Sequence, residues 1–281
     1  RRKSGDDEAD EVPAGNAPTL AELQASGQVK PPEPKADAVA RPVVPPPMES
    51  AARAVLDRSI FRAYDIRGVV GKTLDEETAR LIGQAIGSVM HAQGAKAIVV
   101  GRDGRLSSPR MAAALIDGLR RAGREVFDIG EAPTPVVYFG AYHLRAGSCV
   151  SVTGSHNPPD YNGLKMVLGG QTLHGDMIQS LRRRIAEDDL AHGAGALRTA
   201  DVRADYIERI VGDVKLARPM KIVVDCGNGV AGGIAPELFR RLGCEVVELF
   251  CEVDGSFPNH HPDPSKPENL QDVIRALRDT D

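Results

Sequence analysis

The 281-residue sequence has no tryptophan, only four cysteines and no block of basic residues, and its formal net charge is −4. Nucleic-acid-binding domains generally carry a basic patch or stripe, and nothing in this chain suggests one. No apolar run approaches the roughly 18 residues that a membrane-spanning helix needs. No apolar stretch of signal-peptide type follows the start, which is Arg1 rather than methionine. The expectation is a fragment or processed product, cytoplasmic, with one or two domains. Cys149, Cys226, Cys244 and Cys251 form no CxxC pair. Three of them fall in or beside apolar, strand-like runs, which predicts reduced core thiols.

Phenylalanine and tyrosine are missing before residue 50, whereas nine of the 20 prolines fall there. The same stretch opens with the acidic cluster Asp6-Asp7-Glu8-Ala9-Asp10-Glu11. Such a segment cannot bury enough apolar area to offset the entropy of ordering it. Residues 1–56 are therefore expected to form a disordered, semi-stiff linker. A short proline-rich partner motif is the alternative reading of its Pro-Pro runs.

From Ile60 onward strand-like and helix-like patterns alternate. Helices are expected over residues 73–93, with Thr73 as N-cap and Glu76 as its capping-box partner, and over 108–122, 134–143, 175–186, 201–215 and 231–242. Strands are expected at 96–100, 125–129, 148–152, 165–168, 221–225 and 245–250. Repeated β-α-β order predicts an α/β fold with mixed and parallel sheets sandwiched by helices. The glycine-rich break at residues 193–196 suggests a boundary near residue 200, giving domains 57–198 and 199–281.

Four motifs could carry chemistry. Thr153-Gly154-Ser155-His156-Asn157-Pro158 follows an apolar strand and precedes Tyr161-Asn162-Gly163-Leu164-Lys165-Met166. This puts a hydroxyl on a tight turn between two strands, as a nucleophile or phosphate carrier requires. Ser155 and His156 are sequence neighbours whose side chains should diverge, which argues against a hydrolase pair. A phosphoserine adds about −1.5 to −2 of charge and needs cations nearby; Lys165 can return to the turn across the hairpin. A polar loop ended by proline is the plainer reading of the turn. In Phe61-Arg62-Ala63-Tyr64-Asp65-Ile66-Arg67-Gly68, Arg67 could bind an anion bidentately or simply pair with Asp65. Gly227, Gly229 and Gly232 spell a GxGxxG between a strand and a helix, with Glu248 about twenty residues on, the pattern of a dinucleotide site. Close helix packing, or a single phosphate at the helix start, would also use those glycines. Asn259-His260-His261-Pro262-Asp263 hints at a metal site, but adjacent residues rarely ligate one ion and a surface loop explains them.

Taken together, the runs 61–68, 101–107, 153–166, 225–233 and 254–270 resemble the α-D-phosphohexomutases. Gly154, where glucosamine-type mutases usually carry alanine, favours the mannose/glucose branch. The resemblance implies a first domain, an incomplete second domain, and an enzyme that interconverts hexose 6-phosphate and hexose 1-phosphate through a phosphoserine and a bisphosphorylated sugar. It implies Ser155 as phosphoserine, with His156 and Asn157 lining it. It also implies Lys165 in acid/base work and Arg67 and Tyr64 beside phosphate and sugar. The cofactors it implies are Mg²⁺, with phosphorylated Ser155 as one ligand, and hexose 1,6-bisphosphate. Its partners would be small phosphosugars, with no nucleic acid and no membrane span, and the full-length enzyme would be a monomer. The remaining metal ligands would come from an Asp-Gly-Asp-Gly-Asp-Arg run that this sequence lacks, so the chain is expected to be an N-terminal half, inactive alone. A dinucleotide-dependent oxidoreductase domain and a non-catalytic phosphosugar-binding protein are the competing functions.

Overall fold

The computed structural model describes residues 56–279; the linker expected over 1–56 lies, except for Leu56, outside the described residues. One mixed sheet organises residues 66–199. Its strands are β1 (Ile66–Val69), β2 (Ala97–Arg102), β3 (Glu125–Glu131), β4 (Cys149–Val152), β5 (Tyr161–Leu168), β6 (Gln171–Thr172) and β7 (Leu197–Thr199). The spatial order is β1-β5-β4-β2-β3-β7, with β6 paired to β5. Strands β4, β2, β3 and β7 run parallel to one another, whereas β5 is antiparallel to both β4 and β1.

Helices cover both faces. On one, α1 (Glu76–Ala92), α2 (Ser108–Arg121) and α4 (Asp176–Glu187) bury Ile82, Ile86, Leu115 and Leu181 against Val100, Val150, Leu164 and Met166. On the other, α3 (Thr134–His143) and α5 (Arg203–Asp213) bring Val136, Val137 and Ile207 onto Val99 and Cys149. Each such aliphatic side chain contributes about 1.5–3 kcal/mol on leaving water. The arrangement is the expected α/β sandwich. Residues 221–249 add a parallel pair, β8 (Lys221–Asp225) and β9 (Glu245–Leu249), with α6 (Ala235–Arg241) between them. Helix α7 (Gln271–Asp279) packs on β8.

Several local expectations change. Helix α1 starts two residues later than the Thr73 cap implied. Asp75 is the N-cap, its carboxylate accepting from the Thr78 N–H at 2.7 Å, while Thr73 Oγ1 accepts from the Val69 N–H at 2.9 Å and closes the preceding turn. Glu76 and Glu77 then sit in the first turn, where negative charge suits the helix dipole. Strand β5 reaches back to Tyr161, so Asn162-Gly163, a turn-like dipeptide in sequence, lies inside a ladder. The 231–242 helix is split into a 3₁₀ turn at Val230–Gly233 and α6. Strand β7 follows directly on the glycine-rich segment read as a break, because Val126 to Asp128 of β3 offer it a parallel edge.

Candidate active site

Strand β4 delivers the chain to the serine turn. The last rung joins the Thr153 N–H to the Gly163 carbonyl at 2.9 Å, and β5 leaves again at Tyr161. Ser155 between them has φ of 55°, in the left-handed region that non-glycine residues rarely occupy. Its N–H donates to Thr153 Oγ1 at 2.9 Å, and the Asn157 side-chain amide donates to the Gly154 carbonyl at 2.7 Å. The His156 ring was expected to diverge from the serine. Instead its Nδ1 stands 3.4 Å from Ser155 Oγ, because the left-handed residue breaks the alternation that extended neighbours would follow. That separation exceeds the roughly 2.6–3.2 Å of an effective nucleophile–base bond. Asp263, in the loop after β9, feels the charge of His156; its carboxyl is held below the usual value chiefly by Ser265 and to a smaller degree by that imidazole.

A charged side chain that sequence reasoning passed over lies beneath this loop. Arg105 is 1% exposed. Its guanidinium donates to the carbonyls of Ser155 at 2.9 Å, Asn157 at 2.7 Å, Pro158 at 2.5 Å and Tyr161 at 3.1 Å, and Nε donates to Asp103 at 3.1 Å. The same carboxylate accepts the Gly154 N–H at 3.0 Å. Burial draws the Arg105 pKa downward, opposed by the charge and hydrogen bond of Asp103, yet a guanidinium remains protonated. Gly154 is required by this packing: a Cβ there would fall 2.3 Å from Arg105 Nε. The signal available in the sequence was Asp103 and Arg105 two apart, just past a buried strand.

Strand register gathers the other predicted residues. Arg67 lies opposite Gly163, and Lys165 opposite Ser151. Ile66, Leu164, Met166, Val150 and Val152 all belong to the first core. Arg67, Lys165 and Ser151 therefore share the other sheet face. Diagonal neighbours in such a ladder lie within about 7–8 Å. Arg67 also donates through Nε to Asp65 at 3.2 Å, which realises the ion pair considered from sequence while orienting the fork. Ser151 Oγ lies 3.1 Å from Thr134 Oγ1. Ser151, Thr134, Thr153 and Ser155 line one side of a cleft of about 240 Å³, and Gly229 and Phe257 line the other. Tyr64 stands apart from these contacts, 78% exposed.

Residues 58–192 match the family described as phosphoglucomutase/phosphomannomutase, alpha/beta/alpha domain I, and residues 204–281 match domain II of the same family. The chain belongs to the phosphoglucomutase/phosphomannomutase family. A Pseudomonas aeruginosa phosphomannomutase/phosphoglucomutase is 56% identical over 231 residues, covering 82% of this chain and 50% of that protein. A Neisseria gonorrhoeae phosphoglucomutase is 52% identical over 230 residues, covering 81% and 50%. The crystal structure of a phosphoglucomutase/phosphomannomutase family protein from Burkholderia thailandensis superposes with a TM-score of 0.78 at 58% identity, covering 80% of this chain and 51% of that one. The chain thus spans about half the length of the relatives it matches.

In this family member the glycine run after β8 is not a dinucleotide cradle. The N–H groups a pyrophosphate would need are used within the loop and its neighbours. Gly227 donates to Asp225 Oδ1 at 2.8 Å, Asn228 to the Phe250 carbonyl at 2.8 Å, Gly229 to the Cys226 carbonyl at 2.7 Å and Gly232 to the Gly229 carbonyl at 3.0 Å. Glu248 pairs with Arg240 instead of facing the loop. The paired histidines serve the same turn. His260 Nε2 lies 3.1 Å from Asp225 and Nδ1 3.0 Å from the His261 carbonyl. Burial disfavours the His260 cation, but these two partners outweigh it and raise its pKa above the ordinary value. Cys226 Sγ and Cys251 Sγ are 3.5 Å apart as free thiols, and burial, reinforced by Cys251, pushes Cys226 up to about 12. No cluster of three or more His, Cys, Asp or Glu side chains suited to a metal ion occurs among the described residues, and none of their helices is long and apolar enough to cross a membrane.

Proposed function

We propose that this chain supplies the phosphoserine part of a mutase that interconverts hexose 6-phosphate and hexose 1-phosphate of the mannose/glucose type, residues 57–198 forming its first domain and 199–281 part of its second. The observation that carries the reading is Ser155, a hydroxyl on a left-handed, internally tied turn, beside a sheet face that bears Arg67 and Lys165.

In the reaction, a sugar hydroxyl oxygen bonds to the phosphorus on Ser155 as the bond from phosphorus to Oγ breaks. The phosphoryl group passes to the sugar, and the proton that the hydroxyl loses is balanced by one gained at Oγ. The resulting hexose 1,6-bisphosphate returns its other phosphoryl group to Ser155 by the reverse step. Such transfers depend on alignment and on stabilising charge over the transferring oxygens. Arg67, already oriented by Asp65, suits the charge. Lys165 suits the proton, and His156, 3.4 Å from Oγ, suits the phosphate's flank. Tyr64 is free to meet the sugar, and Asn157 ties the serine turn through the Gly154 carbonyl.

A magnesium ion would draw one ligand here, an oxygen of phosphorylated Ser155, and would supply positive charge to the transferring group; the described residues offer no cluster of three or more His, Cys, Asp or Glu side chains to complete its shell. The four free cysteines are in keeping with a reducing cytoplasmic setting, and the reading carries with it a monomeric full-length enzyme. Phosphopeptide mapping of the complete gene product should find phosphate on Ser155, and Ser155→Ala should reduce mutase turnover to background. Full turnover in that variant would sink the reading.

A further inference from the structure

We infer that Arg105 is a positioning residue for phosphoryl transfer at Ser155 and that Phe257, from the loop after β9, is part of the same device. The inference rests on the reading of Ser155 as the phosphate carrier. Three observations support it. First, one guanidinium gathers four carbonyls of the serine turn, and through Asp103 it also fixes the Gly154 N–H. A lysine cannot replace it, since a compact ammonium offers three donors around one nitrogen whereas the guanidinium spreads five across a rigid fork.

Second, the face of this guanidinium is closed by Phe257, whose ring centroid lies 5.1 Å from Arg105 Cζ. That is cation–π geometry around a buried charge, where the attraction is strongest. Phe257 itself has φ of 53°, an uncommon backbone state for an aromatic residue. Such outliers persist only where surrounding contacts over-determine them.

Third, the two segments meet at the closeness only glycine allows, Gly255 against the backbone of residues 104–106 and Gly104 against the Val253 side chain. A Cβ on Gly255 would fall 2.4 Å from the Gly104 carbonyl oxygen and 2.8 Å from Arg105 Cα, and one on Gly104 would fall 2.3 Å from Val253 Cγ1. The loop Val253 to Phe257 is thereby locked onto the residue that holds the serine. Its position sets the height of the Ser155 turn over the cleft, in which Phe257 is also a wall. Positioning of the carrier loop thus depends on the second domain as well as the first.

The experiment uses the complete gene product with Arg105→Lys, Phe257→Leu and Phe257→Tyr, measured by single-turnover phosphoryl transfer from phosphorylated Ser155, steady-state kcat and KM, and thermal melting. A displacement of about 1 Å in a reacting group can cost on the order of 10²-fold, so Arg105→Lys should lower kcat by about that factor with little change in KM. Phe257→Leu should lower it about tenfold, within the range of a desolvated cation–π contact, and Phe257→Tyr should restore it. If Arg105→Lys does not fold, the two Phe257 variants decide alone. Normal single-turnover transfer in folded Phe257→Leu protein, with only its melting temperature reduced, overturns the inference. Absence of phosphate on Ser155 in the unaltered protein would instead overturn the functional reading beneath it.

Discussion

Lys165 lies directly across the β4–β5 ladder from Ser151, and both side chains share a sheet face with Arg67. The pairing turns a ten-residue gap between Ser155 and Lys165 into a local arrangement. An antiparallel return brings the lysine back beside the strand that feeds the serine. Among the described residues Lys165 has no ion-pair partner, whereas Arg67 is held by Asp65. The held cation suits a fixed role toward phosphate, and the unheld one suits moving a proton.

Lys165→Met keeps the length and apolar stem of the side chain and removes the ammonium. In the complete gene product kcat is expected to drop by about 10²–10⁴-fold, the usual reach of a positioned acid or base, while phosphate on Ser155 persists. Steady-state kinetics with parallel phosphopeptide mapping reads both. Unchanged kcat would remove Lys165 from the proton path.

Asp75 caps α1 through the Thr78 N–H, and Thr73 does not. Asp75→Ala should therefore destabilise the first domain by about 1 kcal/mol, lowering the melting temperature by roughly 2–4 °C. Thr73→Val leaves that cap intact and loosens only the turn to Val69. Equal melting losses in the two variants would contradict the assignment of the cap.

His260 supplies a pH dependence with a definite sign. Its folded-state pKa is raised above the unfolded value by His261 and Asp225, in spite of burial. The stability it contributes is therefore fully present below the unfolded pKa of about 6.5 and is lost as pH rises through the folded value. Thermal melts between about pH 5.5 and 8.5 should show a decline that His260→Gln removes. A decline of equal size in the variant would assign the effect elsewhere.

The alternation of β-prone and helix-prone runs predicted the α/β sandwich because each run carries its own periodicity. Elements fixed by partners were harder to see. Strand β7 has three residues and little signal of its own, and exists because β3 presents an edge. Asn162-Gly163 reads as a turn until the buried Asn162 amide is seen donating to Ser107 and Ser108 at 2.8 and 3.0 Å. The serine turn itself was legible, since glycine, hydroxyl and prolines all act locally. Arg105 and Phe257 were not, because their roles arise from contacts about 50 and 150 residues away in sequence. A charged residue ordinarily reads as surface, and it is the four converging carbonyls, the Asp103 carboxylate and the Phe257 ring that explain its burial. The glycine run after β8 matched a pattern whose meaning depends on free N–H groups, a property that spacing does not encode.

The backbone at Ser155 also limits what evolution could place there. Threonine offers an equivalent hydroxyl, yet a β-branched side chain at φ of 55° is a genuine outlier. A one-step chemical synonym is therefore a poor structural one. Ser155→Thr in the complete gene product should show little phosphate at that position by mass spectrometry, despite keeping the oxygen; stoichiometric phosphothreonine would show that the turn relaxes. On the proposed reading of Ser155 as phosphate carrier, the shape of the main chain selects the residue as much as the reactivity of an alcohol does.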